Sequence, residues 1–96
     1  MDRTRTLDLL THSKAYLAER FGVTRLALFG STARAAANSG SDVDVLVGFD
    51  GPATAKRYFG VQFYLEDALG VPVDLVTENA LRPELRKFIE AEAVDV

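Results

Sequence analysis

Two aspartates, Asp42 and Asp44, lie one residue apart on an apolar run, and the pair Gly30-Ser31 stands ten residues before them. Side chains two positions apart on a strand project from the same face, about 6.5 to 7 Å apart along the chain. Carboxylates crowded to roughly 4 Å would repel each other by about 4 kcal/mol at an effective dielectric near 20. A bound cation removes this repulsion, so the pattern predicts a metal site.

A third acid, Asp74, stands on a separate apolar run, VPVDLVT, and would complete the set if the two runs are neighbouring strands. The chain has no cysteine and one histidine, so carboxylate oxygens are the available ligands. These favour Mg²⁺ or Mn²⁺ over zinc. Magnesium takes part of its shell from substrate phosphates, and Gly30-Ser31 before a helical turn is suited to hold a phosphate.

Each of these features also has a simpler interpretation. Two aspartates on a half-exposed strand are usually a solvated polar face, and a Gly-Ser pair before a helix is usually a cap. The combination of the three parts, rather than any one of them, favours a site that binds a metal and a phosphate.

The elements that must position these residues follow from apolar spacing. A first amphipathic helix is predicted over 6–21, a buried strand over 25–29, a strand with one apolar face over 42–49 and a third helix over 53–69. A strand over 71–77, with Pro72 favouring an edge position, precedes a last helix that begins near Pro83. Between the first two strands we expect a short helical turn, TARAAA, capped by Ser31, and a loop over 38–41.

The three longer helices are each expected to bury a set of apolar residues. The last residues of the chain are expected to form a short strand. The buried sets are Leu7, Leu10, Leu17, Ala18 and Phe21 in the first helix; Tyr58, Val61, Leu65, Ala68 and Leu69 in the third; and Leu85, Phe88 and Ile89 in the last. The order of elements indicates a small α/β structure, with a sheet covered by helices.

Length and composition limit the classes of function. The 96 residues suffice for one domain, 1–96, and the hydrophobic fraction of 48% is typical of a globular protein. The net charge of −3 argues against a surface that binds nucleic acid without regard to sequence, so we expect no direct contact with nucleic acid. The absence of cysteine excludes disulfides and a thiol nucleophile. Because we find neither a membrane span nor a secretory signal, we expect a cytoplasmic protein.

The motif of Gly30-Ser31, ten residues, Asp42-Val43-Asp44 and then Asp74 resembles the minimal nucleotidyltransferase (MNT) group of the DNA polymerase β-like superfamily. The similarity extends over nearly the whole chain, including the stretch VDLVTENALRPELRKFIEAEAV. It implies a single nucleotidyltransferase-fold domain of the α/β (α+β) class, a small mixed sheet flanked by helices. It also implies ATP as substrate and two Mg²⁺ ions, with Mn²⁺ as an alternative.

The resemblance also assigns roles to individual residues. Gly30 and Ser31 would hold the β and γ phosphates, while Asp42 and Asp44 would ligate the metals. Asp74 would join them on the metal that activates the acceptor oxygen. Arg34 would contact a phosphate, although Ala35 follows it where family members often carry glycine, and an exposed Arg34 fits the sequence equally well.

The resemblance further implies a partner, because minimal nucleotidyltransferases are commonly antitoxins paired with a HEPN-domain ribonuclease toxin. We expect the chain to transfer AMP from ATP to a hydroxyl, a tyrosine of such a toxin, since 96 residues leave no room for a second domain to hold an acceptor. One alternative is an antitoxin that masks the toxin without catalysis. Another is a transferase for small molecules, which the missing acceptor domain disfavours.

Some aromatic residues fall outside the predicted core faces. Phe59 and Phe63 lie four residues apart on one side of the third helix, and Tyr16 with Leu9 lies off the main face of the first. They indicate either contact with a partner, in a homo- or hetero-oligomer, or burial against a neighbouring helix.

Overall fold

The computed structural model describes residues 2–34 and 42–96. In chain order the elements are α1 (Arg3–Phe21), β1 (Val23–Phe29), α2 (Gly30–Ala33), β2 (Val43–Phe49), α3 (Ala55–Leu69), β3 (Val73–Thr77), a 3₁₀ turn (Glu78–Ala80), α4 (Pro83–Glu92) and β4 (Val94–Asp95). This is the predicted order, including the short final strand. The predicted loop over 38–41 and the second half of the TARAAA turn lie outside the described residues.

The described strands form one mixed sheet in the order β3-β2-β1-β4. Strand β1 pairs antiparallel with β2 and with β4, whereas β2 and β3 are parallel. The expected mixed sheet flanked by helices is confirmed. Strand β3 lies at an edge, as Pro72 predicted.

The two faces of the sheet carry different kinds of residue because successive side chains of a strand point to opposite sides. Helices α1 and α3 cover one face, where the buried strand residues are Val23, Leu26, Leu28, Val43, Val45, Val47, Val73 and Leu75. The other face has a small apolar cluster of Ala27, Phe29 and Leu46, against which Ile89 and Ala93 at the C-terminal end pack. Asp44 and Asp74 alternate with the residues of the first face and therefore belong to the second.

The outer edge of β3 is closed by side chains of α3. The carbonyl of Pro72 accepts from the amide of Val43 on β2, so the backbone groups of Val73 and Leu75 point away from β2. Tyr58 Oη donates to the Leu75 carbonyl at 2.6 Å. Gln62 Nε2 donates to the Val73 carbonyl at 3.1 Å, and Glu66 accepts from the Val73 amide at 3.0 Å. Three α3 residues at i, i+4 spacing thus form hydrogen bonds with the outward-facing backbone groups of β3 and hold this strand against the helix.

The prediction for the last helix was wrong at two positions. Leu85 and Phe88 are 52% and 75% exposed, and only Ile89 of the predicted set is half-buried. The reason is that, in the described part of the chain, the apolar patch under α4 is small: it has three buried residues, with Val76 and Leu81 partly buried beside them, so only one narrow side of the helix covers it.

The buried face of α1 also differs from the prediction, and in α3 Ala68 is exposed. In α1, Leu10 and Leu17 are buried, but Ala18 is exposed, and Thr6 and Ser13 are buried in its place. Both hydroxyls donate to the carbonyl four residues earlier, Thr6 at 2.7 Å and Ser13 at 2.8 Å. A polar side chain that bonds to its own helix in this way can be buried at low cost.

Arg25 attaches the C-terminal end to β1. Its guanidinium contacts Asp95 at 2.8 Å, Glu90 at 2.6 Å and, more loosely, Glu78 at 3.6 Å. The Nζ atom of Lys14 donates to the Val96 carbonyl at 2.6 Å. These contacts keep α4 over the sheet face that carries Asp44 and Asp74. Among the described helices, none is both long and apolar enough to cross a bilayer.

Candidate active site

Asp44 and Asp74 are direct partners in the parallel ladder between β2 and β3. Because they occupy equivalent positions of adjacent strands, their side chains leave the sheet on the same face. Their carboxyl groups interact through charge and through a hydrogen bond. The sequence predicted two separate strands carrying acids, and the pairing of these strands brings the acids together.

The environment of Asp44 disfavours its charged form. Burial raises the pKa of this carboxyl above its ordinary value, and the charge of Asp74, the hydrogen bond to Asp74 and the charges of Asp42 and Glu92 raise it further. All of these influences favour the neutral form of the Asp44 carboxyl. The site is thus a partly buried concentration of negative charge.

Asp42 lies at the margin of this site. The strand predicted to begin at Asp42 begins at Val43, and Asp42 itself is exposed. It acts on Asp44 through charge. Among residues 2–34 and 42–96, no group of three or more acidic or histidine side chains is arranged to hold a metal ion. The tight pair is therefore Asp44 with Asp74.

The donor set of this pair fits a hard divalent cation. Two carboxylates that repel each other offer only oxygen ligands, and Mg²⁺ takes one or two protein carboxylates and completes its shell with water and substrate phosphate. A bound cation would also offset the repulsion between the two carboxylates.

Gly30 lies next to this acidic pair, at the end of β1. Its neighbour Phe29 is the ladder partner of Asp44, and Gly30 adopts a φ of 75°. A Cβ atom at Gly30 would collide with Oδ2 of Asp44. Glycine is required here on two counts, because its backbone is left-handed and because the carboxylate occupies the space of a side chain.

The helical turn begins at Gly30, two residues earlier than predicted. Gly30 is the first residue of α2, so Ser31 lies inside the turn and makes no capping hydrogen bond through its side chain. The prediction that Ser31 caps this turn was wrong. Its other predicted role, as a backbone contact to a phosphate, concerns the amide and is unaffected.

Glu92, the last residue of α4, is a member of the site that sequence reasoning missed. Its Oε1 atom accepts from the amide of Gly30 at 3.0 Å, and its Oε2 atom accepts from the guanidinium of Arg34 at 2.6 Å. Arg34 is exposed, as one of the two interpretations expected, and it contacts this carboxylate. No local pattern marks Glu92, since 62 positions separate it from Gly30 in the chain.

Comparison with known proteins gives a consistent result. Residues 11–96 match the family model of the nucleotidyltransferase domain. The protein adenylyltransferase MntA of Thermococcus cleftensis is 40% identical over 89 residues, which cover 93% of this chain and 90% of that protein. A solved structure assigned as a minimal nucleotidyltransferase has a TM-score of 0.84 at 38% identity, covering 100% of this chain and 97% of that one.

A more distant structure has the same fold. It contains a tri-AMPylated HEPN toxin of Shewanella oneidensis in complex with an MNT antitoxin. The TM-score is 0.61 at 18% identity, and the match covers 97% of this chain and 66% of that one.

Proposed function

Because this chain belongs to the nucleotidyltransferase domain family, we propose that it is a protein adenylyltransferase that transfers AMP from ATP to a hydroxyl group of a partner protein. The observation that carries the proposal is the placement of Gly30 against Asp44, with Asp74 as the ladder partner of Asp44. This arrangement puts a backbone amide beside two carboxylates, as a phosphate bound with a divalent cation requires.

Each site residue has a role in this proposal. Asp44 and Asp74 would hold Mg²⁺ or Mn²⁺, and Asp42, at the margin of the site, would supply a third carboxylate for a second ion. Bound ions would supply charge stabilisation for both the attacking and the leaving oxygens of an in-line displacement. The amides of Gly30 and Ser31, together with Arg34, bind the phosphates beyond the bond that breaks.

In the reaction, the oxygen of the acceptor hydroxyl forms a bond to the α phosphorus, and the bond from that phosphorus to the bridging oxygen of the β phosphate breaks. Pyrophosphate leaves, and the proton of the hydroxyl passes to solvent. The protein contributes by orienting the triphosphate so that these two oxygens lie in line.

We further propose that the acceptor is a tyrosine of a HEPN-domain toxin in the cytoplasm, and that the chain acts as the antitoxin. Two observations support this partner: the related Thermococcus protein is named a protein adenylyltransferase, and the Shewanella complex contains an AMPylated HEPN toxin. If residues 1–96 act as a single domain, the folded partner must position its own hydroxyl.

The test is to incubate the purified chain with ATP, Mg²⁺ and a HEPN-domain toxin from the same organism, and to measure the intact mass of that toxin. We expect one or more adenylyl adducts with the native chain and none with Asp44→Asn. The matched control is Asp67→Asn, which removes an exposed aspartate of α3 and should transfer AMP normally. Neutralisation of the toxin with no adduct would contradict the proposal.

That outcome would support the second candidate, an antitoxin that neutralises by covering its toxin. The observation in its favour is the exposure of aromatic side chains on two helices: Phe59 and Phe63 of α3 are 48% and 63% exposed, and Tyr16 of α1 is 47% exposed. Phe59 and Phe63 stack with ring centres 6.0 Å apart. Such a surface is typical of a protein contact. Neutralisation that survives Asp44→Asn would identify this mode.

A further inference from the structure

Glu92 occupies the donors that the proposed function assigns to phosphate. Its two carboxylate oxygens are divided between the Gly30 amide, at 3.0 Å, and the Arg34 guanidinium, at 2.6 Å. One donor is neutral and belongs to the backbone, and the other is a charged side chain. A phosphate group would present oxygens of the same charge to the same two groups.

A carboxylate and a phosphate cannot both accept the single hydrogen of the Gly30 amide. The backbone amide of Gly30 has one hydrogen to donate, and Glu92 uses it. An incoming triphosphate would also meet the negative charge of Glu92 beside those of Asp44 and Asp74, and like charges at short range repel. The contact of Glu92 therefore opposes the entry of a nucleotide.

The Glu92 side chain is placed so that it can move away from Gly30 and Arg34. It is the last residue of α4, and no residue of α4 is fully buried. The Glu92 side chain is itself partly exposed, so it can rotate into solvent without disturbing the core. The helix remains attached through the separate contacts of Arg25 with Glu90 and Asp95.

We propose that Glu92 is an internal competitor of the nucleotide: its carboxylate occupies the phosphate donors Gly30 and Arg34, and ATP binds only by displacing it. The proposal rests on the proposed function, because it assumes that nucleotide phosphate binds at Gly30. It adds that the C-terminal helix sets the affinity for the nucleotide. Any partner that draws Glu92 away from Gly30 would thereby promote nucleotide binding.

The first test compares the affinity of four proteins for the ATP analogue AMP-PNP with Mg²⁺ by calorimetry. Glu92→Gln removes the charge and should bind the analogue about tenfold more tightly than the native chain, corresponding to about 1.4 kcal/mol. Glu92→Ala removes the acceptor as well and should also bind more tightly. The matched control is Glu84→Gln, at an exposed glutamate in the first turn of α4, and its affinity should equal the native one.

The second test follows the amide signal of Gly30 by NMR on ¹⁵N-labelled protein. Without nucleotide, Glu92→Gln should shift this signal relative to the native chain, because the acceptor of the Gly30 amide changes from a carboxylate to an amide oxygen. At saturation with AMP-PNP and Mg²⁺, the two signals should converge, since phosphate is then the acceptor in both proteins.

Two results would overturn the proposal while leaving the proposed function intact. One is that the native chain binds AMP-PNP and both Glu92 variants, folded by circular dichroism, bind it equally or more weakly. The other is that the Gly30 signals of the native and Glu92→Gln proteins still differ at saturation. If none of the proteins binds the analogue, the proposed function fails, and this proposal fails with it.

Discussion

The carboxylate of Asp44 fills the space that a side chain at residue 30 would need, so Gly30 and Asp44 form one close contact between the end of β1 and the start of β2. The contact joins the proposed phosphate donor to the proposed metal ligand. A change at either residue therefore alters both parts of the site.

Replacing Gly30 by alanine should destabilise the protein by about 2 to 4 kcal/mol and abolish nucleotide binding. Part of this cost comes from the positive φ, and the rest comes from the collision with Asp44. Urea unfolding measures it. Gly70→Ala is the matched control, because Gly70 has nearly the same φ, 74°, with no atom within 4 Å of an added Cβ. An equal loss of stability in the two variants would show that the collision with Asp44 does not contribute.

Replacing Asp44 by asparagine should stabilise the metal-free protein at neutral pH while reducing AMP transfer by about 100-fold or more. The pKa of Asp44 is raised in the folded state, chiefly by burial and then by Asp74. Folding therefore favours the protonated acid, and the native chain loses stability as the pH rises through the pKa of the folded state. The advantage of Asp44→Asn should shrink as the pH falls towards the ordinary range of aspartate.

Thermal unfolding with and without Mg²⁺ extends this test to the metal. Mg²⁺ should raise the Tm of the native chain, because an ion that binds only the folded state stabilises it. Asp44→Asn should lose most of this rise. Asp67→Asn should keep it, since Asp67 lies on α3, and equal rises in all three proteins would place Mg²⁺ elsewhere.

Replacing Asp95 by asparagine should destabilise the protein by about 0.5 kcal/mol at neutral pH, as expected for an exposed ion pair. A hydrogen bond from Arg25 lowers the pKa of Asp95 in the folded state. This contribution to stability is present above the unfolded pKa and is lost as the pH falls through the folded pKa. The difference between Asp95→Asn and the native chain should therefore disappear in acid and should shrink in high salt.

Replacing Tyr58 by phenylalanine should cost about 1 kcal/mol in the free energy of unfolding, because its hydroxyl donates to the Leu75 carbonyl at the edge of β3. Hydrogen exchange on β3 should quicken as well, since α3 then holds the strand less firmly. Tyr16→Phe is the control, because Tyr16 is an exposed residue of α1 and its replacement should leave both measurements unchanged.

Local patterns in the sequence are sufficient to predict the elements and the face on which each strand residue lies. The alternation of Val43, Val45 and Val47 with Asp44 and Leu46 determines which side of β2 carries the acid, because the period of a strand is two residues. The turn at Gly30 and the short strand at the C-terminal end are likewise local features.

The tertiary structure alone decides which distant residues meet. No periodicity specifies that β2 and β3 pair in parallel with Asp44 opposite Asp74, or that α4 places Glu92 on the Gly30 amide. It also decides that Leu85 and Phe88 remain exposed, because the patch beneath α4 is too small to cover them. The physical reason is that a periodic pattern is local and indicates only which side of an element is apolar. Strand pairing and burial depend on contacts between residues far apart in the sequence, which form only when the whole chain packs.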